Sequence, residues 1–415
     1  MSILFSIFGP SQTLGNPDGW LAKIVGAPTW AGTSVTEQNA LRLTAVYAAI
    51  GIISDVASQL PIDLGRKVDG RREELDAPDL HYLLNVRANP YMSAITFRNT
   101  LQAHVLGWGN GYAEIQRNGA GEPIGLWPLL PDRTGPEMIN GRLRYTTAID
   151  GVRHVLNPEN VLHVSGMGFD GMIGYSPIQM AKEAIGLGLA LEEHGGKFFA
   201  NESRSGGFLM HPGKLGKEGV KNLRDSVNDQ GGLEEAHRMK VLEEGTKFVA
   251  TTIAPEDAQF LQTRAHQVEE IARLYRVPLF MMQSHSKDTS WGTGLTQMAT
   301  GFIQYTMTPW FIRWEQEYEY KLLSEEQRAE GAYIRHNATG LLRGDPAARA
   351  TYYTAALSKA TGWMVQAEVR ELEDLNPLDD EEDPEPAPAL AEMDDDQEPD
   401  PAADTAPPEP GMEIT

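Results

Sequence analysis

The residues of this chain that could carry chemistry occur in short patterns, each of which falls short of a catalytic or cofactor motif. Gly195, Gly196 and Lys197 precede a phenylalanine, so this string lacks the hydroxyl and the upstream glycine of a phosphate-binding loop. The alternating glycines of 107–111 follow a predicted helix rather than a strand, which argues against a dinucleotide site. The H-E-x-x-H spacing of zinc hydrolases is absent, the 10 histidines are scattered, and there is no cysteine.

Two further patterns also fail as catalytic sets. Ser165 lies in HVSGMG, which is not the G-x-S-x-G nucleophile elbow of hydrolases. Glu192 and Glu193, with Lys182 or Lys197, fit solvated or inter-subunit ion pairs better than an acid–base pair. The sequence therefore predicts no enzymatic activity, no cofactor and no metal. A soluble hydrolase whose site escapes motif search remains an alternative.

Charge divides the chain into a mildly acidic body and a strongly acidic tail. The net charge is −23, but residues 377–415 hold 15 Asp or Glu and no Lys or Arg, which leaves −8 on the other 376 residues. Such a body is unlike a basic DNA-binding module, although an acidic wall is compatible with DNA that must slide. The tail is predicted to be disordered. Its acidic composition would be explained either by a role in keeping the subunits soluble or by binding to a basic partner.

The stretch from Glu256 to Leu323 is predicted to fold as helix, loop and longer helix. An apolar stripe at helical spacing runs from Leu261 to Tyr275, and Pro278 ends that helix. Gln283 to Gly294 is polar and glycine-rich, which predicts an exposed loop. Helical spacing then resumes through Leu295, Met298, Phe302 and Tyr305, and Pro309 should kink this second helix. Two core helices joined by a surface loop would produce the same pattern.

The remaining chain alternates between helical and strand-like periods. Hairpins are predicted at Asn118-Gly119 and Asp150-Gly151. The helix 175–201 carries four glycines, which either allow tight packing around a ring or close packing inside the subunit. Other predicted elements are helices at 41–60, 80–85, 90–108, 217–229, 346–359 and 365–375, a strand and turn at 61–74, and strands near 208, 239–242 and 248–252. The N-terminal MSILFSIFGP lacks the basic start of a signal peptide, and the apolar run 178–191 contains charges, so no membrane segment is predicted.

Several of these segments resemble one known family. They are LRLTAVYAAIGIISDVASQLP, YSPIQMAKEAIGLGLALEEHGGKFFANESRSGGFL, EDAQFLQTRAHQVEEIARLYRVP, SWGTGLTQMATGFIQYTMTPWFIRWEQ and YIRHNATGLLRGD. Their order and spacing, over about residues 40 to 376, are similar to the portal proteins of long-tailed double-stranded-DNA bacteriophages.

The resemblance implies an α+β fold, a portal-type subunit with long stem and wing helices, a β-rich wing subdomain and a small mixed clip domain. Its expected parts are a flexible arm (1–38), wing (39–174), stem helix (175–205), clip (206–255), second stem helix (256–278), tunnel loop (279–294), long kinked wing helix (295–330), crown helices (331–376) and disordered acidic tail (377–415).

The resemblance also implies a function: a ring of about twelve subunits at the portal vertex of a virion, assembled in the host cytoplasm, through which the genome enters and leaves. Expected partners are double-stranded DNA without sequence specificity, the terminase large subunit, a head–tail adaptor, scaffold and the major capsid protein. A head–tail adaptor ring remains an alternative. The implied DNA-facing tunnel loop comprises Ser284, His285, Ser286, Lys287, Asp288, Thr289, Ser290 and Trp291, and Lys182, Glu192 and Lys197 are candidates for the channel wall or subunit contacts.

Overall fold

A computed structural model describes residues 29–68, 71–200, 207–210, 216–218, 221, 247–250, 257–282, 293–338, 346–358 and 362–372. Two compact units divide the chain, residues 1–344 and residues 345–415. The described helices of the first unit are α1 Glu37–Ala40, α2 Thr44–Gln59, α3 Pro78–Asn85, α4 Ala94–Trp108, α5 Pro177–Met180, α6 Lys182–Ala200, α7 Asp257–Tyr275, α8 Thr293–Phe302, α9 Thr308–Leu322 and α10 Glu325–Ala329. The second unit contains α11 Pro346–Ala356 and α12 Gln366–Leu372.

The described strands are short and antiparallel. They are β1 Ile62–Val68, β2 Arg71–Glu74, β3 Arg87–Asn89, β4 Met92–Ser93, β5 Asn110–Arg117, β6 Pro123–Leu129, β7 Thr134–Ile139, β8 Arg142–Ile149, β9 Val152–Leu156, β10 Val161–Ser165, β11 Gly207–Met210, β12 Lys247–Ala250 and β13 Ala332–His336. They form sheets in the orders β13-β1-β2, β10-β5-β6 and β7-β8-β9, with β3-β4 and β11-β12 as two-stranded pairs. Mixed helices and sheets confirm the predicted α+β class.

Both predicted hairpins are confirmed. Asn118 begins the turn between β5 and β6, and its backbone N–H donates to the Glu122 carbonyl at 2.9 Å. Asp150 and Gly151 join β8 to β9 with φ values of 51° and 78°. Positive φ at both central residues is what a two-residue hairpin turn requires, and Asp-Gly supplies it at low steric cost.

Helix α9 lies across two apolar cores and connects them. Its first turn places Phe311 in a core shared with α2, α6 and α7. Trp314 and Tyr318, three and seven residues further along the same face, are buried in a second core with α3, α4 and the β13-β1 sheet. A rigid α9 therefore couples the helical part of the first unit to its sheets.

Three of the predicted segments need correction. Residues 332–336, assigned to crown helices, form β13, which pairs with β1 so that the buried Ile334 opposes Leu64. The arm 1–38 is not flexible throughout: the buried Thr29 lies on α6, and the Trp30 N–H donates to Glu183 Oε2 at 2.9 Å. The first stem helix is divided at Ala181, whose backbone leaves the helical region at φ −102° and ψ 19°.

Several other predictions lie wholly or mostly outside the described residues. They are the helix 217–229, the strand at 239–242, the tunnel loop 284–291 and the tail 377–415. Among the described helices, none combines the length and apolar content that a membrane span requires.

Candidate functional site

Helix α7 ends in a defined stop just before the predicted tunnel loop. Arg276 adopts φ 55°, and the Val277 N–H donates to the Ala272 carbonyl at 2.9 Å. This left-handed residue followed by a bond back into the last turn is a Schellman motif. A 3₁₀ turn, Leu279–Met282, follows, and α8 begins at Thr293. The chain between these two elements contains the eight predicted loop residues, Ser284 to Trp291, which lie outside the described residues.

Both ends of this segment are attached to the same apolar core. On one side Tyr275 is buried and its hydroxyl donates to the Leu106 carbonyl of α4 at 3.2 Å. On the other side Phe302 is buried in the core that also holds Tyr275. The Thr306 hydroxyl donates to the Arg276 carbonyl at 2.9 Å and joins the two sides directly. The loop therefore leaves from, and returns to, a fixed base.

The helix after the loop carries an apolar face that the described part of the subunit does not cover. Met298 and Tyr305 belong to the predicted apolar stripe with Phe302, yet they are 43% and 69% exposed. An exposed Met and Tyr on one helix face are typical of a surface that meets a partner.

A π-helical turn lies beside Pro309. Residues Ile303–Met307 form this turn between α8 and α9, and the Thr308 N–H donates to the Ile303 carbonyl. Pro309 occupies the first turn of α9, where a missing N–H costs little because the preceding turn already departs from α-helical bonding. Such turns are frequent sites of helix bending. The kink at Pro309 stays a prediction, with this turn as its structural counterpart.

The three predicted stem residues occupy different environments. Lys182 is only 9% exposed and lies at the start of α6, so it is packed inside the subunit rather than on a channel wall. Glu192 faces Arg264 of α7 at 3.9 Å, which links α6 to α7. Lys197 is exposed and pairs with Glu193 one turn earlier on α6. Glu192 and Lys197 therefore remain candidates for a channel wall or subunit contact.

The structure distinguishes between two explanations for the helix glycines at three positions. A Cβ at Gly186 would lie 2.6 Å from Thr29 Cγ2, and one at Gly188 would lie 2.9 Å from Leu43 Cδ2. These two glycines are therefore explained by close packing inside the subunit. Gly196 has nothing within 4 Å of the position that its Cβ would occupy. The described part of the subunit gives no packing reason for glycine there.

A buried charged cluster, missed by the sequence analysis, ties α9 to β13. Glu315 is buried and accepts hydrogen bonds from the His336 N–H at 2.9 Å, from His336 Nδ1 at 3.1 Å and from Arg335 Nη1 at 2.6 Å. Burial raises the pKa of Glu315, but the bonds from His336 and Arg335 outweigh it and hold the pKa at about 2. Burial lowers the pKa of His336, which Glu315 opposes.

A second buried polar group holds the start of β5 against the segment before α5. The Gly174 N–H donates to Asn110 Oδ1 at 2.8 Å, which identifies that atom as the oxygen. His163 Nε2 lies 3.1 Å from the same oxygen and so carries the proton, while Nδ1 accepts from the Tyr145 hydroxyl at 3.1 Å. Burial keeps His163 neutral by lowering its pKa to about 3. Both nitrogens are thus engaged in structural bonds.

Neither buried group resembles a catalytic site. The described bonds of both groups join their members to one another or to the backbone, no serine hydroxyl takes part in them, and His336 Nε2 is buried without a described partner. Within the described ranges, no group of three or more His, Asp or Glu is placed to share a metal ion. Both groups connect separate segments inside the subunit.

Comparison with known proteins gives consistent matches over most of the chain. A family model described as "Phage portal protein" matches residues 44–374. The "Probable portal protein" of Streptomyces phage phiC31 is 33% identical over 369 residues, covering 86% of this chain and 79% of that protein. The "Portal protein" of Enterobacteria phage HK97 is 30% identical over 349 residues, covering 83% of this chain and 82% of that protein.

Solved structures agree at the level of the fold. A structure described as "Neck of empty GTA particle computed with C6 symmetry" is similar with a TM-score of 0.59 at 20% identity, covering 91% of this chain and 99% of that one. An HK97 family phage portal protein from Corynebacterium diphtheriae is similar with a TM-score of 0.56 at 15% identity, covering 75% of this chain and 98% of that one.

Proposed function

The chain belongs to the phage portal protein family, and from that membership we propose that it forms a ring at one capsid vertex through which DNA is packaged and ejected. The observation that carries this proposal is the family match over residues 44–374, joined by two phage portal relatives at 30% identity or more. The particle-neck structures with a similar fold, computed with C6 and C12 symmetry, support a ring inside a virion.

Within the ring, α6 and α7 act as the two stem helices, and the β11-β12 pair belongs to the clip. The elements from α2 to β10 form the wing together with α9 and β13, while α11 and α12 belong to the crown. The ion pair between Glu192 and Arg264 and the packing of α6 against α7 support the stem assignment, because paired stem helices must keep a fixed separation.

Residues Ser284 to Trp291 form the tunnel loop that faces the DNA. The support is geometric: the loop's two flanks are attached to one core and are joined by the bond from Thr306 to the Arg276 carbonyl. A loop with such a base can project a short polar segment without loosening the subunit. Lys287 would meet phosphates transiently, and the mildly acidic body would keep DNA from binding tightly.

The portal has no catalytic role of its own in this proposal. The terminase large subunit docks on the clip and supplies ATP hydrolysis, a head–tail adaptor joins below, and scaffold and major capsid protein meet the wing. Assembly takes place in the host cytoplasm. The acidic tail keeps subunits soluble before they assemble, in keeping with its 15 carboxylates and no cation.

Electron microscopy of the purified full-length protein tests ring formation. Negative-stain images should show hollow rings, and mass photometry should give a single multiple of the 45.7 kDa subunit. Stable monomers at micromolar concentration, with turnover of simple esters or phosphoesters, would instead support the hydrolase alternative.

A loop deletion tests the channel role separately. Removing Ser286–Gly292 should leave rings intact but lower the amount of packaged or retained DNA, because the flanking helices keep their attachment to the core. An equally long deletion in the tail, Thr405–Gly411, serves as the control and should package normally. Normal packaging and retention by the loop deletion would refute the tunnel role without bearing on ring formation.

A further inference from the structure

A wide groove of about 1320 Å³ opens between α3, the β5–β6 turn and the C-terminal end of α9, and α10 forms one wall. Its apolar lining includes the buried Leu80, Leu83 and Leu322. Two lining tyrosines extend into solvent, Tyr82 at 51% exposure and Tyr320 at 67%. Rigid, amphipathic side chains of this kind are enriched where proteins bind one another. Neither buried polar group nor the loop base contributes to the groove's described lining.

The cations of the groove are already engaged by backbone carbonyls. Arg117 donates to the carbonyls of Gly121, Glu159 and Lys321, and the Lys321 ammonium donates to the Pro158 carbonyl. Arg328 donates to the Tyr320 carbonyl. These bonds to neutral carbonyls fix the cations in place without removing their charge, but the described lining of the groove has seven carboxylates against four cations and is therefore negative on balance.

Four carboxylates of the groove, unlike its cations, have no bonding partner among the described residues. Asp76 and Asp79 lie at the start of α3, and Glu325 and Glu326 form the first turn of α10. In the described part of the chain, no hydrogen bond or ion pair engages these four carboxylates. The rim therefore presents unpaired negative charge on two sides of an apolar floor.

The ring of Tyr320 already contacts two cations of the subunit itself. Lys321 Nζ lies 5.4 Å from the centre of its ring, and Arg328 Cζ lies 5.1 Å from the same centre. Both distances are within the range of cation–π attraction. Tyr82 offers a second exposed ring in the same groove, and no described cation–π pair occupies it.

We propose that this groove binds a basic peptide segment of another protein, in which Lys or Arg residues flank one or two apolar side chains. The apolar side chains would fill the floor, and the cations would meet the four carboxylates and the ring of Tyr82. DNA does not fit, since phosphates would face unpaired carboxylates. Neither does this chain's own tail, with 15 acidic residues, nor residues 1–28, which hold a single Lys and a single Asp.

Fluorescence anisotropy with the full-length protein tests the proposal. The probe is a labelled dodecapeptide that alternates Lys with Leu, and the comparison peptide replaces each Lys by Glu. The Lys peptide should bind with a micromolar Kd that weakens at least tenfold between about 50 mM and about 500 mM NaCl, because salt screens the attraction. The Glu peptide should not bind. Equal binding of both peptides, or no binding of the Lys peptide at low salt, would overturn the proposal.

Two variants locate the binding. The combined substitution Asp76→Asn, Asp79→Asn, Glu325→Gln, Glu326→Gln should weaken the Lys peptide at least tenfold, and Tyr82→Ala should weaken it severalfold. The matched control removes four carboxylates elsewhere, at Glu137, Glu193, Glu269 and Glu270, and should change the affinity less than threefold. If the control weakens binding as much as the groove variant, the peptide is responding to net charge and the groove assignment is wrong. Circular dichroism confirms that each variant is folded.

Discussion

Two glutamates on long helices of this chain each meet an arginine, and the surroundings of the two pairs differ in their access to water. Glu315 on α9 is buried and accepts three hydrogen bonds from Arg335 and His336 on β13. Glu192 on α6 lies 3.9 Å from Arg264 on α7 and its side chain is 31% exposed, against 8% for Glu315, while the two arginines are about equally exposed. Removing one partner of a buried pair leaves an uncompensated group, whereas an exposed pair contributes little. The ion pair therefore contributes more where α9 meets the sheet than between α6 and α7, which also share apolar packing around Ile185 and Ile271.

Substituting Glu315 is expected to have the largest effect on stability. Glu315→Ala should lower the free energy of unfolding by about 2–4 kcal/mol, since the backbone N–H and the Nδ1 of the buried His336 both lose their acceptor. Urea denaturation followed by circular dichroism, at a concentration where the subunit is monomeric, measures the change. Glu315→Gln should recover part of the loss because its amide oxygen can still accept from His336.

The matched control is Glu192→Ala on the stem. It should cost less than about 1 kcal/mol, as expected of an exposed pair at this separation. If the two alanine variants lose equal stability, the contrast between the buried Glu315 and the more exposed Glu192 is wrong.

Lowering the pH should destabilise mainly the part of the subunit that contains the sheets and α9, because the buried histidines lie there. The folded pKa of His163 is about 3, well below its ordinary value of 6.5, so on acidification the unfolded chain takes up the proton first. Stability should therefore fall from about pH 6.5 towards pH 3, by about 1.4 kcal/mol per pH unit for this histidine alone. His104, with a pKa of about 4, and His336, with a lowered pKa, add to the loss in the same direction.

Urea denaturation at pH 6.5, 5.5 and 4.5 measures that slope. The His163→Gln variant should be less stable at pH 6.5 but should show a shallower slope, because one buried titrating group is gone. An unchanged slope in this variant would mean that His163 is protonated in the folded protein, contrary to its buried bonds with Tyr145 and Asn110.

Local signals explain which parts of the fold the sequence could predict. The apolar spacing of α2 and α7 and the Asp150-Gly151 turn depend on neighbours within a few residues, and the structure has each of them. The cluster at Glu315 could not be predicted, since its partners arrive through the pairing of β13 with β1, more than 250 residues apart in the chain. For the same reason residues 332–336 were assigned to helix. The role of the predicted loop residues stays a prediction, supported by the family resemblance and by the attachment of the two flanks to one core.

The glycines of α6 provide a further comparison, because Gly186 and Gly188 pack against other residues of the subunit and Gly196 has no described neighbour. Gly186→Ala should destabilise the subunit by about 1–2 kcal/mol, since the new methyl meets Thr29, whose hydroxyl is held by a 2.9 Å bond to the Thr33 carbonyl. Gly196→Ala should stabilise it by up to about 1 kcal/mol, because alanine favours a helix interior and no atom of the described residues lies within 4 Å of the new methyl. Thermal unfolding of the monomer measures both, and a loss at Gly196 would contradict the open surroundings of α6.

In an assembled ring, the Gly196→Ala variant would also test whether a neighbouring subunit packs against α6. Close approach of an adjacent helix in the ring would account for a glycine for which the described part of the subunit gives no packing reason. Gly196→Ala should then raise monomer stability while lowering the fraction of protein in rings by negative-stain counting. If the variant forms rings as readily as the unmodified protein, the neighbouring subunit does not pack against this face of α6.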